Sequence, residues 1–305
     1  MKKIICIGEC SLNIVLDAEG NTLGTIPGGR IANAAAIMGR EGFKVLMASD
    51  VCADAIGNII VSHLTSAGVD VTSVDRFTEG QGAVNIYVCD KDDAAPVSSL
   101  IRYESYPEDA FDIVWPRIDE DDIVVFGGAY ALDARMKQGL GKLLAYAKER
   151  KAILVYLPGF INQQKTNITR VMPALLDNFE IADVMITRNK DLEAFFGVKT
   201  PDACYHDHID FYCRSLVNID CPCHRISYYS GKEVSSVELP AGVCSTMMGN
   251  AGAVAGLVSG IAAADLSAAQ LDTPGADIRE TLLRTAAKTA MKAAEEIKES
   301  WQSIE

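Results

Sequence analysis

The 305-residue chain has no uninterrupted run of about 18 strongly apolar residues, which excludes a conventional membrane-spanning helix. The longest candidate, 249–264, is rich in Gly and Ala and is broken by Asn250 and Ser259. Clusters of Lys and Arg are missing as well. Basic residues number 28 against 41 acidic, the formal charge is −13, and the longest charged run is Asp119-Glu120-Asp121-Asp122. A surface that grips phosphate backbones needs clustered cations, so nucleic acid and anionic membrane are not expected partners. The acidic run reads as a solvated loop ahead of a strand. No low-complexity tract or internal repeat occurs, and 49% of the residues are apolar, which excludes intrinsic disorder.

The cysteines lack a framework. There are nine, an odd number, with no paired C-x2-C spacing. They read as reduced thiols, several of them buried, in a cytoplasmic protein. Met1-Lys2-Lys3 leads into Ile4-Ile5-Cys6-Ile7-Gly8, a run too short for a signal-peptide core and suited to a strand. One stretch gathers Cys204, His206, His208, Cys213, Cys221, Cys223 and His224. Metal ligation is one reading of it. The other is a surface helix whose Cys213 packs inward with Leu216 and Val217, beside a Cys221-Pro222-Cys223 loop, and the spacing favours this.

What is present is a rhythm. Buried-strand runs at 4–8, 44–49, 122–127, 152–157, 182–187 and 224–229 alternate with helical patterns at 31–40, 58–67, 134–150, 168–178 and 209–217. Two long helices follow, over 249–263 and 278–300. This order predicts an α/β fold, a doubly wound parallel sheet with helices on both faces. Two stretches depart from it. Residues 11–25 alternate around a Gly20-Asn21 turn, as a hairpin does, and 82–90 alternate before a polar linker to Tyr103. Together they predict a small second β-sheet, a lid over the mouth of the main sheet.

The best local motif is Gly28-Gly29-Arg30-Ile31-Ala32-Asn33. A glycine pair lets backbone approach a ligand closely, Asn33 lies one helical turn on, and a helix start offers free N–H groups. Tight packing of a helix on the first strand is the competing explanation. The glycines do not have the Gly-x-Gly-x-x-Gly spacing, and a hairpin separates them from the first strand, so a nicotinamide enzyme is disfavoured.

Gly8-Glu9, Gly28-Gly29 with Asn33 and Ala35, Asp54-Ala55-Ile56-Gly57 and Ala67-Gly68-Val69-Asp70 occur in an order and spacing that resembles the ribokinase/PfkB carbohydrate kinases. Asn189 with Asp191 and Glu193 is similar to that family's Asn-x-x-Glu region. A Gly-rich turn before the 249–263 helix and an Ala-rich final helix extend the resemblance over nearly the whole chain. It implies one ribokinase-like domain over 1–305, with a lid from insertions at about 11–26 and 80–106. It implies ATP-dependent phosphorylation of a sugar or nucleoside hydroxyl, with ATP and Mg2+ as cofactors. Asn13, Gly28, Gly29 and Asn33 would hold the substrate. Asn189, Ser230, Gly231, Ser245, Thr246 and Gly249 would face the nucleotide. Apart from the resemblance, alternating exposed strands in the lid invite pairing with a second copy, a homodimer that a purely structural reading would make an interaction scaffold.

The chain departs from the family where the transferring phosphate should sit. Cys244-Ser245-Thr246-Met247-Met248-Gly249-Asn250 lies over the family's Asp-Thr-x-Gly-Ala-Gly-Asp turn, so Asn250 stands at the base Asp and two Met replace Gly-Ala. An amide cannot accept a proton, and a general base is worth about 10²–10⁴ in rate. Asn13 stands where an Asp usually grips hydroxyls, and Tyr156-Leu157-Pro158-Gly159 replaces an Asp-Pro-Asn strand end. The expectations are therefore a kinase homologue of weak activity, with Asp191 or Asp54 as the alternative base, or a non-catalytic sugar- or nucleoside-binding protein of the same fold.

Overall fold

Strands with both faces covered make up the central layer, and their near-continuous apolar runs follow from that. The computed structural model describes residues 2–17, 19–88, 101–105, 113–159, 168–198 and 200–302. In chain order, β1 (Ile4–Ile7) leads into the hairpin β2 (Ser11–Leu16) and β3 (Thr22–Gly28), then α1 (Arg30–Arg40), β4 (Val45–Asp50), α2 (Ala55–Ser66) and β5 (Asp70–Asp75). Next come β6 (Gln81–Val88), β7 (Ile101–Ser105), β8 (Ile123–Gly127), α3 (Lys137–Glu149), β9 (Ile153–Leu157), α4 (Ile168–Ile181), β10 (Val184–Arg188) and α5 (Asn189–Phe196). The rest is the single turn α6 (Pro201–Cys204), β11 (Ser215–Asp220), β12 (Arg225–Ser230), β13 (Glu233–Glu238), α7 (Met247–Ala263), α8 (Ala268–Asp272) and α9 (Ala276–Gln302).

Nine strands form the main sheet in the order β13-β12-β11-β10-β9-β8-β1-β4-β5. Pairing is parallel from β11 through to β5, and antiparallel only at β11–β12 and β12–β13. Successive residues feed opposite cores. Ile4, Cys6, Ile123, Val125, Ile153 and Val155 pack with α1, α7 and α9, whereas Ile5, Ile7, Val124, Phe126, Leu154 and Tyr156 pack with α3, α4 and α5. Among the described residues no helix is long and apolar enough to cross a membrane.

A separate four-stranded sheet has the order β3-β2-β6-β7. The 11–25 hairpin is present: Asn21 N–H donates to the Asp17 carboxylate at 2.7 Å, and Gly20 turns with φ 87°. Asp90 and the start of the polar linker lie outside the described residues. Because β2 follows β1 directly and β3 runs into α1, the small sheet emerges where the parallel strands end. Asp54 fastens it there, its carboxylate taking the N–H of Gly57 in α2 and of Gly82 in β6, each at 2.8 Å.

Several sequence expectations change. The helix expected over 209–217 is a π-turn at Tyr205–Ile209 followed by β11. Leu216 and Val217 are buried on opposite faces of the sheet, a pattern that a short apolar run does not distinguish from a helix. The strands β5 and β13 and the helix α5 were not expected. Both strands lie at sheet edges, where polar residues interrupt the apolar pattern.

Candidate functional site

Gly28 and Gly29 are both dictated by close approach. A methyl group on Gly28 would collide with the side chains of Ser11 and Asn13, and one on Gly29 with the carbonyl oxygen of Glu9. Gly29 also has φ 102°, which L side chains rarely adopt. The space left by Gly28 holds a polar cluster on the small sheet. Asn85 Nδ2 donates to Ser11 Oγ and to Asn13 Oδ1, both at 2.8 Å. The Asn13 amide then meets Met247 Sδ at 3.5 Å. Asn13 is only 2% exposed, and Asn33, in the first turns of α1, is buried as well. Ser11 and Asn85 escaped the sequence reading. Asn85 is register partner to Asn13, so the alternation through 82–90 carried the signal.

Beside β1, Gly128 turns with φ 65° where a side chain would strike the Glu9 carboxylate. The Tyr130 N–H donates to Glu9 at 3.4 Å and its hydroxyl to Asp50 at 2.5 Å.

The turn opening α7 uses its own polar groups. Thr246 is the N-cap, its Oγ1 accepting from Gly249 N–H at 2.9 Å, and Ser245 Oγ donates to the Gly242 carbonyl at 2.9 Å. Gly249 is required because the Val243 carbonyl packs where its side chain would be. Met248 enters the core, whereas Met247 reaches Asn13. Asn250 lies one helical turn beyond Met247, 6% exposed, with Oδ1 buried and lacking any hydrogen-bond partner.

At the end of β10, charge accumulates. Asp191, 0% exposed, accepts from Arg188 Nε and Nη2, both at 2.7 Å, from the Arg188 N–H at 3.1 Å and from Arg30 Nη1 at 3.4 Å. Arg30 also donates to the Ile186 carbonyl at 2.7 Å, where β10 has stopped pairing with β9. Burial works to raise the Asp191 carboxyl, but Arg188, then Arg30 and Lys190, hold it below the usual carboxylate range. Burial, then Arg188, lower the Arg30 guanidinium to about 10 despite Asp191. Lys190 is lowered too, first by Arg188. Three cations share the Asp191 carboxylate, an electropositive cluster in a chain of charge −13.

Asn189 sits beside this cluster, but both ends of its amide are engaged. It donates to Asp220 at 2.9 Å and accepts from Asn218 at 2.7 Å, joining the ends of β10 and β11. Ser230 and Gly231 require correction. Because β12 runs antiparallel, Ser230 pairs with Ser215 at the start of β11, on the sheet edge opposite to the ends of β1, β9 and β10. The Gly231 N–H is taken by the Tyr205 hydroxyl at 2.7 Å. The structure does not bring this pair to the site; Asn218 and Asp220 are the residues that β11 delivers.

Neither alternative base is available. Asp54 is occupied as a helix cap and tether, and Asp191 as counter-ion to two arginines. The excess positive charge suits an anionic group such as a nucleotide phosphate. A Mg2+ needs oxygen ligands and takes most of them from a nucleotide's phosphates and from water, so it would arrive with ATP rather than reside on the protein alone. Asp191 is already shared, and among the described residues no group of three or more His, Cys, Asp or Glu is arranged to hold a metal ion. In the 204–224 stretch, Cys204 and Cys213 are buried in the core, and Cys221 and Cys223 lie across β11 from them.

The family model described as pfkB family carbohydrate kinase matches residues 1–208. Ribokinase from Bacillus subtilis (strain 168) is 25% identical over 145 residues, 40% of this chain and 50% of that protein. The match thus spans about half the length of this curated relative. Aminoimidazole riboside kinase from Salmonella enterica, in complex with aminoimidazole riboside and an ATP analog, has a similar fold, with TM-score 0.76 and 16% identity over 96% of each chain. So does fructokinase from Vibrio cholerae O395 in its fructose-, ADP- and calcium-bound form, with TM-score 0.73, 16% identity, and coverage of 96% of this chain and 92% of that one.

Proposed function

From the premise that the chain belongs to the pfkB family of carbohydrate kinases, we propose that it binds a sugar or nucleoside between the small sheet and the strand ends, and that its transfer of phosphate from ATP is crippled. One observation carries this: Asn250, at the position that the resemblance gives to the general base, is a buried amide whose Oδ1 has no partner. Phosphoryl transfer needs positioning, neutralisation of charge and a group to take the hydroxyl proton. Ser11, Asn13 and Asn85, with the backbone at Gly28 and Gly29, offer donors and acceptors for hydroxyl groups. Arg188, Lys190 and Arg30 would hold the phosphates that ATP brings as donor. No side chain takes the proton, and the loss of that step slows transfer by about 10²–10⁴. A cytoplasmic protein that pairs through its small sheet belongs to the same reading.

The test joins calorimetric binding of ribose, fructose, 2-keto-3-deoxygluconate and nucleosides to a coupled assay of ADP release. The expected result is a ligand that binds, with turnover at least a hundredfold lower than that of Asn250→Asp. Turnover of ordinary kinase magnitude in the unmodified chain, unaffected by Asn250→Asp, overturns the proposal. A chain that binds a ligand and turns over none of them, with or without the substitution, is the binding protein in pure form.

A further inference from the structure

Of the described cysteines, two meet at the site and neither has yet been given a role. Cys221 follows β11, and Cys244 opens the turn that leads to the Thr246 cap and α7. The Cys221 Sγ donates to the Cys244 carbonyl oxygen at 3.1 Å, and the two thiols also interact with each other. Cys221 is half-buried and therefore reachable, whereas Cys244 is buried behind it.

We propose that Cys221 and Cys244 are a thiol pair that a peroxide closes to a disulfide, fastening the turn before α7 to the end of β11. The Cys221 thiolate attacks one peroxide oxygen, the O–O bond breaks, and hydroxide leaves. Cys221 is then a sulfenic acid. The Cys244 sulfur attacks the Cys221 sulfur, the S–S bond forms, the S–O bond breaks, and the oxygen departs as water with the proton of Cys244. Two thiols are oxidised and one hydrogen peroxide is reduced to two waters.

Electrostatics picks Cys221 as the attacking sulfur. The side-chain hydrogen bond from the Cys244 thiol, then Arg188 and Lys190, push its thiol down, against burial and Asp220. Its neighbours go the other way. The hydrogen bond with Cys221 and burial raise Cys244, and burial raises Cys6, Cys52, Cys204 and Cys213. Cys223 is exposed, but a hydrogen bond with the Asp220 carboxylate raises it. The thiolate is the nucleophile, so a reachable thiol beside cations reacts first. The bond does not depend on the function proposed above.

The test treats the native protein at pH 7 with a small excess of hydrogen peroxide, blocks the remaining thiols with N-ethylmaleimide, and maps peptides without reduction. The expected product is a 221–244 cross-link that dithiothreitol reverses. It forms faster than glutathione oxidises, by up to about 30-fold, the ceiling for complete ionisation of a thiol of pKa ~8.5. Cys221→Ser and Cys244→Ala each abolish it, and Cys223→Ser leaves it intact. Because the unmodified protein gives the decisive map, a variant that folds poorly does not blunt the test. Recovery of Cys221 as sulfinic acid, its linkage to Cys223, or its survival while other thiols oxidise overturns the proposal.

Discussion

Asp191→Asn perturbs the structure where its charges are most tightly coupled. The carboxylate is fully buried and answers two guanidinium groups, one through paired contacts at 2.7 Å and the other at 3.4 Å. It also takes the Arg188 N–H that begins α5. An amide of the same shape keeps a single acceptor and turns its NH2 group toward a cation. Removing one partner of a buried ion pair costs about 3–5 kcal/mol, because the remaining charge is left unanswered. The lost helix cap, worth about 0.5–2 kcal/mol alone, is part of the same loss. At roughly 2 °C per kcal/mol for a chain of this length, the thermal midpoint falls by about 6–10 °C. Urea titration followed by circular dichroism measures the cost directly. Arg188→Gln should cost more than Arg30→Gln, since Arg188 makes the paired contact. Acid titration gives a second measurement. With its pKa held below the usual range, Asp191 contributes stability that is fully present above that range and is lost as pH falls through the lowered value. The Asn variant should therefore lose less stability on acidification than the parent. A cost below about 1 kcal/mol, or an unchanged acid limb, would refute the idea of a buried counter-ion.

Gly29→Ala should destabilise by at least about 2 kcal/mol, from a positive φ and a collision with the Glu9 carbonyl. Gly141→Ala, mid-helix in α3 with open space around it, should stabilise by about 0.5–1 kcal/mol. Equal effects at the two positions in denaturant titration would show that backbone geometry does not decide them. Met247→Ala removes the sulfur that faces the Asn13 amide. One freed neutral hydrogen bond is worth about 0.5–1.5 kcal/mol, so the affinity for a sugar or nucleoside should rise about two- to tenfold by calorimetry. Unchanged or weaker binding would mean that Met247 is not in the ligand's way.

The sheet was legible because its geometry repeats locally. In β1, β8 and β9 every residue is buried, so each strand announces itself as a short apolar run. At the β11 end that logic weakened. Leu216 and Val217 also satisfy a helical pattern with Ile209 and Cys213, and only the pairing of β11 with β10 settles the matter. Ser230 and Gly231 were misplaced for a related reason. A Ser-Gly strand end looks the same in either direction, and the direction of β12 is set by its partner. The glycine pair fared better, since positive φ and close approach restrict a position to one residue type whatever the ligand.

Asp191 shows what distance along the chain conceals. As a sequence feature it was a spare carboxylate, available to replace a missing base. Arg188, three residues away, could be suspected as its partner. Arg30 could not, because 161 residues separate it from Asp191 until the starts of α1 and α5 meet. Once paired, the carboxylate is lost to proton transfer and to metal binding alike. Asn250 has no charge, Met247 lies against Asn13, and Asp54 is tied between α2 and β6. The polar cluster of Ser11, Asn13 and Asn85 meanwhile remains built. On the proposed reading, substitution has removed the proton acceptor at Asn250, whereas at Asn13, where the resemblance puts an Asp, the amide that replaces it still donates and accepts hydrogen bonds. If the proposed function holds, a site that keeps its hydrogen-bonding groups and loses its proton acceptor binds more readily than it transfers, which is why binding is the property to measure before turnover.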